Sequence, residues 1–187
     1  MEYLHFDEKK ITDLSDKAVT EMYDRGYVFT RLGHGVMQQT RSIRIDLDRF
    51  ELTSENRRIL RKGDGIVMSE NVIPFSNYSW NIGKMAKDFY DKKAGGAFSA
   101  NKIKELITSS QSFNLLLSFA EQNTNTVTLG YAITYRNSGM LHYSYPFYDL
   151  TVAPKDMGLI MMTKTLVQAK GAGLKYVYLG SLQRPSD

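Results

Sequence analysis

Residues Met140–Gly180, MLHYSYPFYDLTVAPKDMGLIMMTKTLVQAKGAGLKYVYLG, restrict the fold more than any other stretch of the chain. Over Met140–Asp149 the residues alternate, with Leu141, Tyr143, Tyr145 and Phe147 on one face and His142, Ser144 and Tyr148 on the other. That period of two is the pattern of a pleated strand. Pro154 breaks it, and Asp156 stands at the head of a helical run. The run is apolar nearly all round: Met157, Ile160 and Met161 form one stripe, and Leu159, Met162, Leu166 and Ala169 another. Lys164 and Gln168 make a narrow polar ridge. A helix of this kind needs cover on most sides, most simply from a sheet. Gly171-Ala172-Gly173 stops it, and Tyr176–Leu179 is a short buried strand. A strand–helix–strand crossover of this length makes the two strands parallel neighbours.

The rest of the chain supplies partners for that unit. The spacing of Leu14, Ala18 and Met22 predicts a helix over Ile11–Arg25, started by Asp13 or Ser15 and stopped by Gly26. Tyr27–Arg31 reads as a strand leading to a turn at Gly33-His34-Gly35, and Ser42–Leu47 as a second strand. Thr53 or Ser54 caps a short helix, Glu55–Lys62, ended by Gly63. Residues 64–74 are mixed, with turns at Gly65 and Pro74. A helix from Trp80 through Lys93 is followed by a break at Gly95-Gly96 and a helix over Ala100–Ile107, capped by Ser99. Phe113–Phe119 and Thr126–Arg136 read as strands, the second joined to Met140–Asp149 by a hairpin turn at Asn137-Ser138-Gly139.

At 187 residues and 42% hydrophobic, the chain can build one sizeable core, or a core with a small lobe. The absence of cysteine excludes disulfides and thiolate metal sites, and three scattered histidines (His5, His34, His142) lead to the expectation of no metal centre. No signal pattern and no apolar run near the ~18 residues of a membrane span is present, so a cytoplasmic protein without membrane partners is expected. A net charge of +4 and a pI of about 9.1 are compatible with an RNA ligand without requiring one.

Charge is concentrated in one place. Arg57, Arg58, Arg61 and Lys62 lie within two turns of the short helix, with Arg41 and Arg44 on the strand before it. Positions three and four apart are surface neighbours, so the four form a cationic arc that suits successive phosphates. On charge clustering alone, a solvated helix face with Ile59 and Leu60 turned inward is the favoured reading of the same residues. Lysines interleaved with aromatics over 84–104 admit the same two readings.

Two motifs in order carry a resemblance. Arg44-Ile45 precedes Phe50, and Ser54-Glu55-Asn56-Arg57-Arg58-Ile59-Leu60-Arg61-Lys62 follows; further on come Phe147-Tyr148-Asp149, then Gly158, a helix, and Tyr178-Leu179-Gly180. Over residues 24–180 the chain resembles arginyl-tRNA–protein transferases and their bacterial leucyl-transferring relatives. The resemblance implies an α/β (α+β) fold of the GNAT acyltransferase type: a mixed, mainly antiparallel sheet, a β-α-β crossover and an N-terminal helical extension. Residues 1–63 would form the helix, strand and basic helix, and 64–187 the aminoacyltransferase domain, packed as one unit. It implies transfer of an amino acid from charged tRNA to the N-terminus of an acceptor protein or peptide, as in N-degron tagging. Aminoacyl-tRNA is then the co-substrate, with no cofactor and no metal. One departure is plain: His34, Met37 and Thr40 stand where the relatives carry cysteines.

The resemblance assigns roles to residues. Asp149 becomes the candidate catalytic carboxylate, holding the α-ammonium or accepting a proton, although Leu150 and Thr151 replace the family's Pro-Asp after it. Tyr148 is a second candidate. Tyr145, Lys155, Asp156 and Gly158 would line the aminoacyl pocket, and Arg41, Arg44, Arg57, Arg58, Arg61 and Lys62 would hold the tRNA. In acyl-CoA enzymes of this fold a glycine-rich turn wraps a diphosphate at the helix N-terminus. Here Lys155–Ile160 has one glycine of two, a branched Ile160 and the charge of Asp156. An acyl-CoA-dependent N-acyltransferase and a non-catalytic tRNA- or protein-binding relative stay open as alternatives.

Overall fold

A six-stranded sheet carries the fold, and helices cover both of its faces. The computed structural model describes residues 4–122 and 127–182. In chain order the elements are β1 (Asp7–Lys10), α1 (Asp16–Asp24), β2 (Tyr27–Phe29), β3 (Val36–Gln39), β4 (Ser42–Asp46), α2 (Ser54–Lys62) and β5 (Ile66–Val72). There follow α3 (Trp80–Ala94), α4 (Ala100–Thr108), β6 (Leu115–Glu121), β7 (Thr128–Arg136), β8 (Met140–Tyr148), α5 (Met157–Gly171) and β9 (Tyr176–Ser181). The large sheet runs β4-β9-β8-β7-β6-β5, and β1-β3-β2 form a small antiparallel sheet. In the large sheet β8 and β9 are parallel and the other pairs antiparallel, so the expected mixed sheet with a β-α-β crossover is present.

Each face has its own core. On one side α5 lays Met157, Ile160 and Met161, all fully buried, against Leu117, Phe119, Leu141 and Val177, and Ile59 of α2 joins them. At roughly 1.5–3 kcal/mol for each large side chain withdrawn from water, this apolar helix is held by burial rather than by amphipathic propensity. Cover is incomplete: Leu159 and Val167 stay 47% and 39% exposed. On the other side α1, α3, α4 and the small sheet enclose Tyr23, Phe29, Ile103, Ile107, Phe113 and Tyr178.

Local chemistry sets the helix ends. The Ser15 hydroxyl accepts from Ala18 N–H at the start of α1, and Asp13 in turn accepts from Ser15 N–H. Thr53 and Asn56 satisfy each other's backbone N–H groups at the start of α2, a reciprocal cap worth about 1 kcal/mol. Gly26 takes φ +85°, which only glycine adopts without strain, to end α1 and turn the chain into β2.

Several expectations are corrected. The helix expected over Ile11–Arg25 begins only at Asp16. The strand expected over Tyr27–Arg31 stops at Phe29, and residues 1–63 hold, beside the helices α1 and α2, a three-stranded sheet and β4 among the described residues. β1, with every residue exposed, offers no apolar alternation to read. β5 is an edge strand whose middle, Ser69-Glu70-Asn71, is polar because only one side of it pairs. Of the cysteine-equivalent positions, Met37 and Thr40 are buried and His34 is exposed. Thr126 lies outside the described residues.

The strict alternation expected in the hairpin breaks twice. The β7–β8 register shifts so that Ile133 pairs with Tyr145 and Thr134 with Tyr143, leaving Ser144 as an extra residue. One inserted residue turns every later side chain to the opposite face. Leu141 and Tyr143 therefore pack on the α5 side, and Tyr145 and Phe147 on the other. A second shift, between Phe119 and Ala120, leaves Leu129 unpaired and places it with the α5 core.

Candidate functional site

The parallel ladder between β8 and β9 covers only Met140–His142 against Tyr176–Tyr178. Past it, β9 stays with β4 as far as Ser42 opposite Ser181, while β8 stays with β7 as far as Tyr148. The two strands part there. Pro146 sits on the parted stretch, and its carbonyl accepts from the Tyr90 hydroxyl at 2.9 Å instead of from a strand. A residue without an N–H is tolerated in this interior strand because no ladder neighbour is left to receive it.

α5 starts at the same end of the sheet. Asp156 occupies its N-cap position without a side-chain cap bond and pairs instead with Lys62, the last residue of α2. That pairing, with Arg58 and Lys155 nearby, holds the Asp156 carboxyl below its usual range. The helices meet closely, since a Cβ on Gly63 would lie 2.4 Å from Ile160 Cγ2. In the first turn of α5, Gly158 lies beside Tyr148: a Cβ there would make ordinary van der Waals contact with the Tyr148 ring, at 3.6 Å. Tyr148 also meets Phe89 of α3 edge-on, with centroids 4.8 Å apart.

Asp149 is committed to its own turn. Its Oδ1 accepts from Thr151 N–H at 2.8 Å and from the Thr151 hydroxyl at 2.6 Å. These bonds, the hydroxyl's first, hold its carboxyl below the ordinary value, and Lys84 adds a smaller pull. Beside this loop is an open groove of about 410 Å³ lined by Lys62, Ile66, Glu121, Leu129, Val152 and Pro154. The groove could not be read from the sequence, because Leu129 reaches it only through the register shift in β7.

The expected site residues divide by face. Tyr148, Asp149, Lys155, Asp156, Gly158 and Lys62 gather around the β8–α5 junction. Arg57, Arg58 and Arg61 extend from it along α2: Arg58 is bound to Glu55, Arg57 donates to the Leu52 carbonyl, and Arg57 and Arg61 face solvent. Tyr145 lies on the opposite face, between Phe98 and Phe113. Arg44 is also there, 2.9 Å from Asp24 and over the Tyr176 ring. Arg41 is exposed at the start of β4, and its carbonyl accepts from Leu182 N–H. On α3, Lys84 and Lys87 pair with Asp88 and Asp91, and Trp80 is 69% exposed. No group of three or more metal-ligating side chains occurs among the described residues.

The arrangement of parted strands over a helix start can be compared with solved structures. A GCN5-related glucosamine N-acetyltransferase region of a fungal multi-domain GH3 β-N-acetylglucosaminidase superposes with a TM-score of 0.51 at 9% identity, covering 91% of this chain and 20% of that one. The fold is that of the GNAT acyltransferases. L-PGS from Bacillus licheniformis is similar at TM-score 0.58 and 15% identity, over 91% of this chain and 54% of that one. The C-terminal domain of a putative lysylphosphatidylglycerol synthetase from Agrobacterium fabrum is similar at 0.57 and 14%, over 92% and 54%. The chain thus spans about half the length of these two structures, and identities this low establish the GNAT fold alone. No protein-family model and no curated protein matches the chain. Among the described residues, no helix is long and apolar enough to cross a membrane.

Proposed function

We propose that the chain is an aminoacyl-tRNA-dependent acyltransferase, which moves an amino acid from the 3′ end of a charged tRNA to the N-terminal amine of an acceptor protein or peptide. The observation that carries this reading is the start of α5, where Asp156 pairs with Lys62 and has Lys155 and Arg58 nearby, the last also bound to Glu55. Asp156 holds the N-cap position at which a diphosphate would meet the helix N-terminus, which weighs against coenzyme A. An aminoacyl ester needs no diphosphate there, and its ammonium group is attracted to Asp156 or Asp149. The three cations suit the phosphates next to the ester, and Arg57 and Arg61 continue the positive track along α2. The name lysylphosphatidylglycerol synthetase says of that protein that a lysyl group is joined to a lipid, and the likeness supports an aminoacyl donor.

The chemistry needs no protein nucleophile. The acceptor nitrogen attacks the ester carbonyl, the bond to the ribose oxygen breaks, and the proton lost by nitrogen ends on that oxygen. Positioning of the two substrates supplies the rate. Asp149 and Tyr148 border the acyl group, with Lys155 and Gly158 behind it. Arg41, Arg44 and Tyr145 serve this reading less directly, the last two from the opposite face.

The likeness to an acetyltransferase region favours a second reading, an acyl-CoA-dependent N-acyltransferase. Both are tested by offering a mixture of tRNAs charged with radiolabelled amino acids to a panel of peptides with different N-termini. Label entering peptide supports aminoacyl transfer. A thermal shift with acetyl-CoA, with no label transferred from any tRNA, would replace it with the second reading.

A further inference from the structure

Tyr143 is the residue next to the last β8–β9 pair, His142 with Tyr178, and the last on β8 to face α5 before Ser144 breaks the register. Its side chain is 5% exposed, and its hydroxyl has no hydrogen-bond partner among the described residues. The buried phenols in the core on the other face of the sheet include engaged ones: Tyr90 donates to the Pro146 carbonyl, Tyr23 bonds to His142, and Tyr178 donates to Asp24. Two other buried hydroxyls, on Thr40 and Ser42, lack partners among the described residues, but neither stands on β8. Burial, and after it the nearness of Tyr148, raises the Tyr143 phenol far above the ordinary value, so it keeps its proton. Tyr148 connects it to α5, because its ring lies against Gly158 in the first turn. In that turn Met157 N–H donates to the Pro154 carbonyl and Ile160 N–H to the Asp156 carbonyl, and those of Gly158 and Leu159 have no backbone acceptor among the described residues. An orphaned buried donor, set beside the last pair before two strands part, is a place prepared for an oxygen atom.

We infer that the Tyr143 hydroxyl is a hydrogen-bond donor to the carbonyl oxygen of the bound acyl group, stabilising the negative charge that develops there when the acceptor amine attacks. This rests on the aminoacyl-transfer reading and adds a residue to it. In the tetrahedral state the oxygen gains charge and shortens its bond to Tyr143. Collapse then restores the carbonyl and releases the ribose hydroxyl, with Tyr143 unchanged.

The test compares wild type with Tyr143→Phe in three measurements: melting temperature, steady-state transfer from charged tRNA to peptide, and calorimetric binding of puromycin, a stable amide analogue of aminoacyl-adenosine. Removing an unpaired buried hydroxyl leaves the melting temperature equal or higher. Loss of the donor lowers kcat about 100-fold with little change in KM for tRNA, and weakens puromycin severalfold. Wild-type kcat and puromycin affinity in Tyr143→Phe would overturn the inference while leaving the transferase reading intact. A lower melting temperature accompanying the loss of kcat would also overturn it, because the role would be structural. If wild type transfers nothing and binds no puromycin, the functional reading fails first and this inference falls with it.

Discussion

His142 is 2% exposed, with Nδ1 2.8 Å from the Tyr23 hydroxyl. The Tyr23 oxygen already accepts from Phe29 N–H at 3.2 Å, so its proton points to Nδ1, which requires the imidazole to be neutral with its hydrogen on Nε2. Burial lowers the pKa of His142 to about 3. In the unfolded chain it returns to about 6.5, and there the unfolded state takes up a proton that the folded state refuses. Stability is therefore full above pH 6.5 and declines as pH falls, with a slope approaching ~1.4 kcal/mol per unit. His142 therefore contributes slope between pH 6.5 and 5. Urea unfolding across that window will show a steeper slope in wild type than in His142→Gln; parallel curves would refute the assignment. The same residue marks what a pattern can convey. The alternation placed it correctly opposite Leu141, but its bond to Tyr23 joins residues 119 apart and leaves no local trace.

At the scale of elements, the packing of α2 on α5 fixes the basic helix beside the candidate site. Gly63 ends α2, and a methyl group there would lie 2.4 Å from Ile160 Cγ2 and 3.3 Å from Lys164 Cε. Gly65, two residues on, has nothing within 4 Å of the same position. Gly63→Ala is expected to cost about 1–3 kcal/mol of stability in urea unfolding, and Gly65→Ala to stay within about 0.5 kcal/mol of wild type. Equal effects would mean the helices are not packed as described. α2, α3, α4, α5 and the β7–β8 hairpin were all legible from their apolar spacing, helped by side-chain caps at α2 and α4 and by glycines after α2 and α3. β1 and β5 were not: every residue of DEKK is exposed, and the middle of β5 is polar, with Ser69 and Glu70 exposed at the edge of the sheet. Nor were the shifts at Leu129 and Ser144, which arise from strand pairing and decide which residues face α5.

For the molecule as a whole, the sheet divides the arginines into two groups. Arg44 stands with Asp24 and Tyr176 on the α1 side, while Arg57 and Arg61 look outward on the α5 side. If α2 grips tRNA, the double variant Arg57→Ala/Arg61→Ala weakens binding at low salt and reduces the slope of log K against log salt by roughly 0.7–0.9 for each phosphate that is no longer neutralised. Arg44→Ala leaves that slope unchanged and lowers the melting temperature by removing the pairing with Asp24. An unchanged slope in the double variant would remove α2 from the RNA-binding surface. Motifs in the sequence could suggest a basic helix and a donor turn; that Lys62 and Asp156 touch is a product of the completed sheet.

The position of β9 between β4 and β8 has a consequence for biogenesis. During synthesis β4 emerges early, yet its ladder partner is the last of the six strands to leave the ribosome. Until then β4 has no neighbour to pair with, and the nascent chain must shelter an unfinished sheet. The strand that closes the architecture is also one wall of the parted cleft, so the protein gains its shape and its candidate site in the same late event.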